Sequence, residues 1–230
     1  MVDADETWPV PERPTGLYPW TKAIAEREVL AAASDALQTM AVRPCLVWGP
    51  GDTSTLPQLV AAARARRFSW IGGGRYPLST SHVRNVCEGL LCAALHGRPG
   101  QVYFVTDGLP GELRSFFTEL MRTQGVDPGD RSVPRALVMG MARLLELPWR
   151  LLPLRGAPHD HLRLVIESLG QQSTVSDAKA RREIGYVGHV SVEGGLAEMR
   201  AGASTASRST SSSDSLVAGS ACLRSSGRRS

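Results

Sequence analysis

The sequence predicts an α/β fold, and three observations point to it. Short apolar, β-rich runs alternate with segments of helical periodicity, and clusters of glycine, proline and aspartate separate them. The chain has 230 residues, 42% of them hydrophobic and 21% charged, which is the composition of an ordinary globular protein with one well-filled core. This excludes disorder throughout, a collagen-like chain and a disulfide scaffold.

Residues 1 to 17 are acidic and proline-rich and read as a lead into the fold. From Tyr18 to Leu37 a helix is expected, because Ile24, Val29, Leu30, Ala33 and Leu37 recur at helical spacing and Lys22 pairs with Glu26 at i, i+4. Ala41 to Gly49 (AVRPCLVWG) is a strand closed by Gly49-Pro50-Gly51, and Leu56 to Arg67 returns to helix. Gly72-Gly73-Gly74 makes a turn, and a short strand at Ser79 to Val83 leads into a helix from Asn85 to Leu95. Gln101 to Gly108 is the second clear strand. Helices follow at Leu113 to Thr123, Pro134 to Leu147, Leu162 to Leu169, Ser176 to Ile184 and Val192 to Met199. Two strong strands and one weak one are few for a parallel sheet covered on both faces.

The formal charge is +4, and three of those four units lie in residues 201 to 230, where Arg208, Arg224, Arg228 and Arg229 face Asp214 alone. That serine-dominated stretch lacks periodic apolar residues and reads as a disordered tail. It has no aromatic side chain to stack on bases and no lysine cluster, so no nucleic-acid partner is expected. Cys45, Cys87, Cys92 and Cys222 show neither a CxxC pair nor zinc spacing, which suits a reducing, cytoplasmic setting. The first residues lack the basic start and apolar run of a secretory signal, and charged residues interrupt every long apolar run, so no stable membrane insertion is expected.

The motif with most chemical content is YPWTK, Tyr18 to Lys22. A spacing of four puts the phenol and the ammonium on one helical face, where a neighbouring positive charge favours the phenolate and suits a tyrosine to acid or base work. A solvated helical pair has the same spacing. Two glycine turns were weighed as phosphate cradles. Gly49 to Ser54 (GPGDTS) lies between a strand and a helix, but it ends in serine and has no acidic residue about 20 positions later. Gly72 to Gly74 is explained by turn chemistry. His159 and His161 flank Asp160, yet residues two apart face different sides of a helix and no third ligand follows, so no metal site is expected. The helix from Pro134 to Leu147 groups Arg135, Arg143 and Glu146 opposite an apolar face of Leu137, Val138, Met141, Leu144 and Leu145, as a lid or core helix over an apolar pocket would.

Taken together, the YxxxK helix, the strand and loop RPCLVWGPGD (Arg43 to Asp52), SHVRNVCEGLLCAA (Ser81 to Ala94), QVYFVTDGLPGELRSFFTELM (Gln101 to Met121) and VSDAKARREIGYVGHVSVEGGLAEM (Val175 to Met199) resemble the extended short-chain dehydrogenase/reductase family. The branch most resembled is the 3β-hydroxysteroid dehydrogenase type of the NAD-dependent epimerase/dehydratase group, and the likeness covers most of Leu17 to Met199. It implies the C-terminal part of a Rossmann-type fold: the last parallel strands with a smaller, helical substrate region, spanning residues 18 to 200. Arg84 stands where the family commonly has aspartate, and Trp48 where it has tyrosine.

By resemblance, Tyr18 is the catalytic acid/base and Lys22 the residue that holds the cofactor ribose. Pro44, Cys45, Leu46 and Val47 run beside the nicotinamide, and Gly49 to Asp52 enter the substrate region. The implied reaction is NAD- or NADP-linked oxidation of a secondary alcohol, or reduction of a ketone, on a steroid-like or other apolar molecule. A nucleotide-sugar epimerase or dehydratase shares the same tyrosine and lysine. A truncated chain unable to hold cofactor is the non-catalytic alternative, since the family's GxGxxG turn has no counterpart in the 17 residues before Tyr18. In that case Ala41 to Gly49 is expected to be an unpaired apolar sheet edge. The partners expected are a small apolar substrate and, as the assembly left open, a homodimer.

Overall fold

The fold was analysed in a computed structural model, in which residues 2–9, 11–12, 14, 17–141 and 172–203 are described. Helix α1 spans Leu17–Ala31, with Pro19 in its first turn, where the missing N–H costs nothing. It ends earlier than the expected Leu37. Ser34 and Leu37 exchange backbone hydrogen bonds, Ser34 N to Leu37 O at 2.9 Å, and the Ser34 hydroxyl also accepts from Leu37 N. This local alternative takes the backbone out of the helix.

The expected strand from Ala41 to Gly49 is two strands, β1 (Ala41–Pro44) and β2 (Leu46–Trp48), separated at Cys45. Each piece pairs along one side, and among the described residues no strand pairs with the other side, so the run lies at a sheet edge as expected. β1 runs parallel to β6 (Val102–Val105), and β2 runs parallel to β5 (Thr80–His82). Between them lie α2 (Thr55–Arg64), β3 (Trp70–Ile71), the 3-10 turn Gly72–Gly74, β4 (Pro77–Leu78) and the crossover helix α3 (Val83–His96). After β6 come β7 (Gly111–Glu112), α4 (Leu113–Arg122) and β8 (Ser132–Val133). Residues 135–141 form α5 as far as the described stretch runs, α6 spans Ala178–Ile184, and residues 192–203 form α7. β3 pairs parallel with β8, and β4 antiparallel with β7.

The strand shortage in the sequence has a simple cause. Four of these strands, β3, β4, β7 and β8, have only two residues each and rely on neither alternation nor length, so periodicity could not find them. The remainder of the Pro134 to Leu147 helix, His159 to His161, the Leu162 to Leu169 helix and the tail from residue 204 lie outside the described residues.

The main core gathers Trp48, Leu56, Trp70, Phe117, Leu120 and Met121 with residues of α7. α4 supplies the largest share of it: Leu113, Phe116, Phe117, Leu120 and Met121 fall at i, i+3, i+4, i+7 and i+8, one continuous buried stripe. A second cluster packs Tyr103 and Val105 of β6 against Ala93 of α3 and Ala180, Ile184 and Tyr186. The acidic lead is tied to the far end of the chain. Ala4 forms a parallel bridge with Val175, donating to Thr174 O at 3.1 Å, and Glu6 accepts the Phe104 N–H at 2.8 Å.

Candidate active site

α1 carries Tyr18 and Lys22 on one face, and the Lys22 Nζ lies 5.7 Å from the centre of the Tyr18 ring. Tyr18 is 61% exposed and so open to an approaching molecule. The helix under them is fixed at its middle. Ala23 is buried, and Glu26 receives two hydrogen bonds from the Arg43 guanidinium, at 2.6 Å from Nε and 2.5 Å from Nη2. This bidentate pair ties the helix to β1, the strand that leads into Pro44–Val47. The same contact links the helix of Tyr18 and Lys22 to the strand that ends at Pro44.

Along Pro44–Val47, Pro44 and Val47 are exposed and Cys45 and Leu46 half-buried. The Cys45 thiol is no nucleophile. Burial, with the negative charge of Asp107 added, pushes its pKa up to about 12.

The glycine turns settle into structural roles. Asp52 accepts the backbone N–H groups of Ser54, Thr55 and Leu56 at 2.8, 3.0 and 2.9 Å, so a carboxylate already closes the N-terminus of α2. His82 closes that of α3 by accepting from Arg84 N. Gly72 sits where a Cβ would meet the Tyr76 hydroxyl at 2.2 Å, which explains a glycine there without a ligand. The residues present offer an open phenol and ammonium on one helical face, groups of the kind that meet the nicotinamide and ribose end of a dinucleotide. They do not supply a glycine turn for its diphosphate among the described residues. No group of three metal-ligating side chains occurs among the described residues either.

Sequence reasoning missed the polar centre behind this surface. The Asp107 carboxylate, at the end of β6, accepts from Trp48 Nε1 at 2.7 Å, Thr80 Oγ1 at 2.7 Å, His82 N at 2.6 Å and Asn85 Nδ2 at 2.8 Å. Asn85 passes the connection on, donating to Val190 O and accepting from Val190 N. One carboxylate thus joins β2, β5, α3 and the segment before α7. The signal was present in the sequence as TDG after one strand and HVRN after another, but only the fold shows that they meet. Trp48, where the resemblance expects tyrosine, keeps a donor pointing at this carboxylate.

Beside it, the His82 imidazole is fully buried, edge-on to Trp48 with 4.9 Å between ring centres, and its Nε2 has no hydrogen-bond partner. A Cβ on Gly49 or Gly195 would come within 3.0 or 2.8 Å of that ring, so both backbones approach it closely only because they carry no side chain. Gly49 to Asp52 also wall a groove of about 700 Å³, whose apolar floor is Leu56, Pro57, Val60, Ala61 and Met199. No helix among the described residues is long and apolar enough to cross a membrane.

Residues 1–135 match the 3-beta hydroxysteroid dehydrogenase/isomerase family. A 4-hydroxy-2-methyl-3-oxo-4-farnesyl-3,4-dihydroquinoline-1-oxide ketoreductase of Stigmatella aurantiaca is 48% identical over 201 residues, covering 87% of this chain and 60% of its own length. A 2-alkyl-3-oxoalkanoate reductase of Stenotrophomonas maltophilia is 34% identical, with 80% and 57% covered, and a decarboxylating sterol-4-alpha-carboxylate 3-dehydrogenase of Dictyostelium discoideum is 31% identical, with 86% and 61% covered. The crystal structure of gox2253 aligns with a TM-score of 0.65 at 26% identity, over 86% of this chain and 61% of that one. The NAD-bound dTDP-glucose 4,6-dehydratase DesIV of Streptomyces venezuelae shares the fold, with a TM-score of 0.60 at 21% identity, over 86% and 53% of the two chains. The chain spans about 60% of the length of the curated relatives it matches.

Proposed function

Since the chain belongs to the 3-beta hydroxysteroid dehydrogenase/isomerase family, we propose that it carries the acid/base and substrate side of an NAD(P)-linked oxidoreductase acting on an apolar secondary alcohol or ketone. The observation that carries this reading is the Tyr18–Lys22 pair, set on one exposed helical face with the ammonium 5.7 Å from the ring centre. Tyr18 gives a proton to the substrate oxygen during reduction and takes it back during oxidation. Lys22 sits beside that ring as the group that holds ribose hydroxyls and keeps a positive charge near the oxygen that exchanges the proton. The nicotinamide, when bound, supplies or accepts the hydride. The Pro44–Val47 segment is its flank, and the Arg43–Glu26 pair ties the strand that leads into that segment to the tyrosine helix.

An apolar substrate is favoured by the activities of the relatives, whose names include farnesyl, alkyl and sterol compounds. It is also favoured by the apolar floor of the groove beside the Gly49–Asp52 loop. Cys45, Cys87 and Cys92 are free thiols, in keeping with work in the cytoplasm.

The test follows oxidation of NADH and NADPH in the presence of apolar ketones, together with calorimetric titration of each cofactor. The expected result is binding in the micromolar range, and turnover that Tyr18→Phe lowers by about a hundredfold or more while cofactor affinity stays within about twofold. Turnover unchanged by Tyr18→Phe would overturn the role of Tyr18. A protein that binds neither cofactor would overturn the reading for this chain.

A further inference from the structure

In the parallel pair β1 and β6, Ala41 N donates to Gln101 O at 3.0 Å, and the register runs on to Pro44 opposite Val105. Bonds in a parallel ladder are evenly spaced, so four residues further along both strands the bond from Cys45 N to Val105 O is due. It is replaced. Cys45 N donates instead to the Ser81 hydroxyl at 2.9 Å, and that hydroxyl donates to Val105 O at 2.7 Å. One side-chain oxygen has been inserted into a rung of the sheet, at a position with no solvent exposure. Beyond it the two strands part: β2 pairs with β5, Val47 opposite Ser81, and the chain leaving β6 bonds to β5 through Asp107 N and Thr80 O at 2.8 Å.

The insertion has a physical necessity. Where two strands separate inside a dry sheet, each leaves a backbone group that must find another partner. A hydroxyl can serve both, because it accepts one hydrogen bond while donating another. Open parallel α/β sheets take their ligands outside the carboxyl ends of the strands, where neighbours diverge. The fork held by Ser81 is such a place, and the Pro44–Val47 segment passes through it.

The geometry points to Ser81 as a positioning residue: its hydroxyl wedges β1 and β6 apart and so sets the backbone of Pro44–Val47 against the nicotinamide end of the cofactor. This rests on the cofactor reading given above. Ser81 does not touch the cofactor; it acts through the Cys45 and Val105 backbone.

The test compares NADH dissociation constants of the wild-type protein, Ser81→Ala and Ser81→Thr, at a temperature where circular dichroism shows all three folded. The expected result is a loss of about tenfold or more in Ser81→Ala, with recovery to within about twofold in Ser81→Thr, which keeps the hydroxyl. If Ser81→Ala does not fold, Ser81→Cys takes its place with the same expected loss, the thiol being a weak donor. NADH affinity unchanged in Ser81→Ala overturns the assignment, and so does an equal loss in Ser81→Ala and Ser81→Thr, which would make packing the cause. Absence of NADH binding by the wild-type protein overturns the cofactor reading itself, and this assignment with it.

Discussion

At the scale of single residues, His82 shows how burial turns an ordinary side chain into a pH-dependent one. Burial lowers its pKa from the ordinary 6.5, and Arg84 adds to that, against the opposing charges of Asp107 and Glu198. The unfolded chain therefore binds a proton at a higher pH than the folded one, so acid favours unfolding. The stability His82 contributes is complete above about pH 6.5 and declines as the pH falls from there towards the lower folded value. Protonation would also remove the acceptor that caps α3, since Nδ1 receives the Arg84 N–H. Urea midpoints between pH 7.5 and 5 should fall for the wild-type protein, and His82→Asn should flatten that slope. A slope identical in the two proteins would assign the acid sensitivity elsewhere. None of this was readable in SHVRNV, because a histidine after a strand has no fixed degree of burial until the elements around it are placed.

At the scale of elements, legibility followed length and periodicity. α4 and α3 were found within a few residues, for each has a repeating apolar stripe and a clear stop. α4 should accordingly be the most costly element to damage. Phe117 is 2% exposed inside the main core, and Phe117→Ala should destabilise the protein by about 3–5 kcal/mol, measured by urea unfolding. A loss below about 1 kcal/mol would show that the stripe is loosely packed. The strands were less legible. Ala41 to Gly49 reads as one apolar run, and nothing in its residue types announces a change of partner at Cys45. The residue that produces that change, Ser81, lies 36 positions away. The predicted pair Tyr18 and Lys22 was legible because helical spacing alone puts them together, whereas the four donors on Asp107 come from two stretches of chain, at Trp48 and at 80–85, both remote from it in sequence.

For the whole molecule, the surface carries a message that composition did not. Leu17, Tyr18 and Trp20 on α1, and Leu90, Leu91 and Leu95 on α3, are all exposed, Leu95 by 75%. Exposed apolar side chains grouped on a helix favour association. Sedimentation at tens of micromolar should give particles heavier than the 24.7 kDa chain, and Leu91→Glu with Leu95→Lys should shift the distribution towards the monomer. A wild-type protein that sediments as a monomer would contradict this. The seam between the acidic lead and the segment before α6 has a further consequence, in the order of events during synthesis. Asp3 bonds to Thr174, 171 residues away in sequence, so a ribosome adding about 5–20 residues per second makes the second partner many seconds after the first. Closing so long a loop costs entropy that is repaid only once the intervening parts have condensed. Until Val175 is made, the small cluster of Ala4, Phe104 and Val175 stays incomplete, and that flank of β6 stands open on the nascent chain.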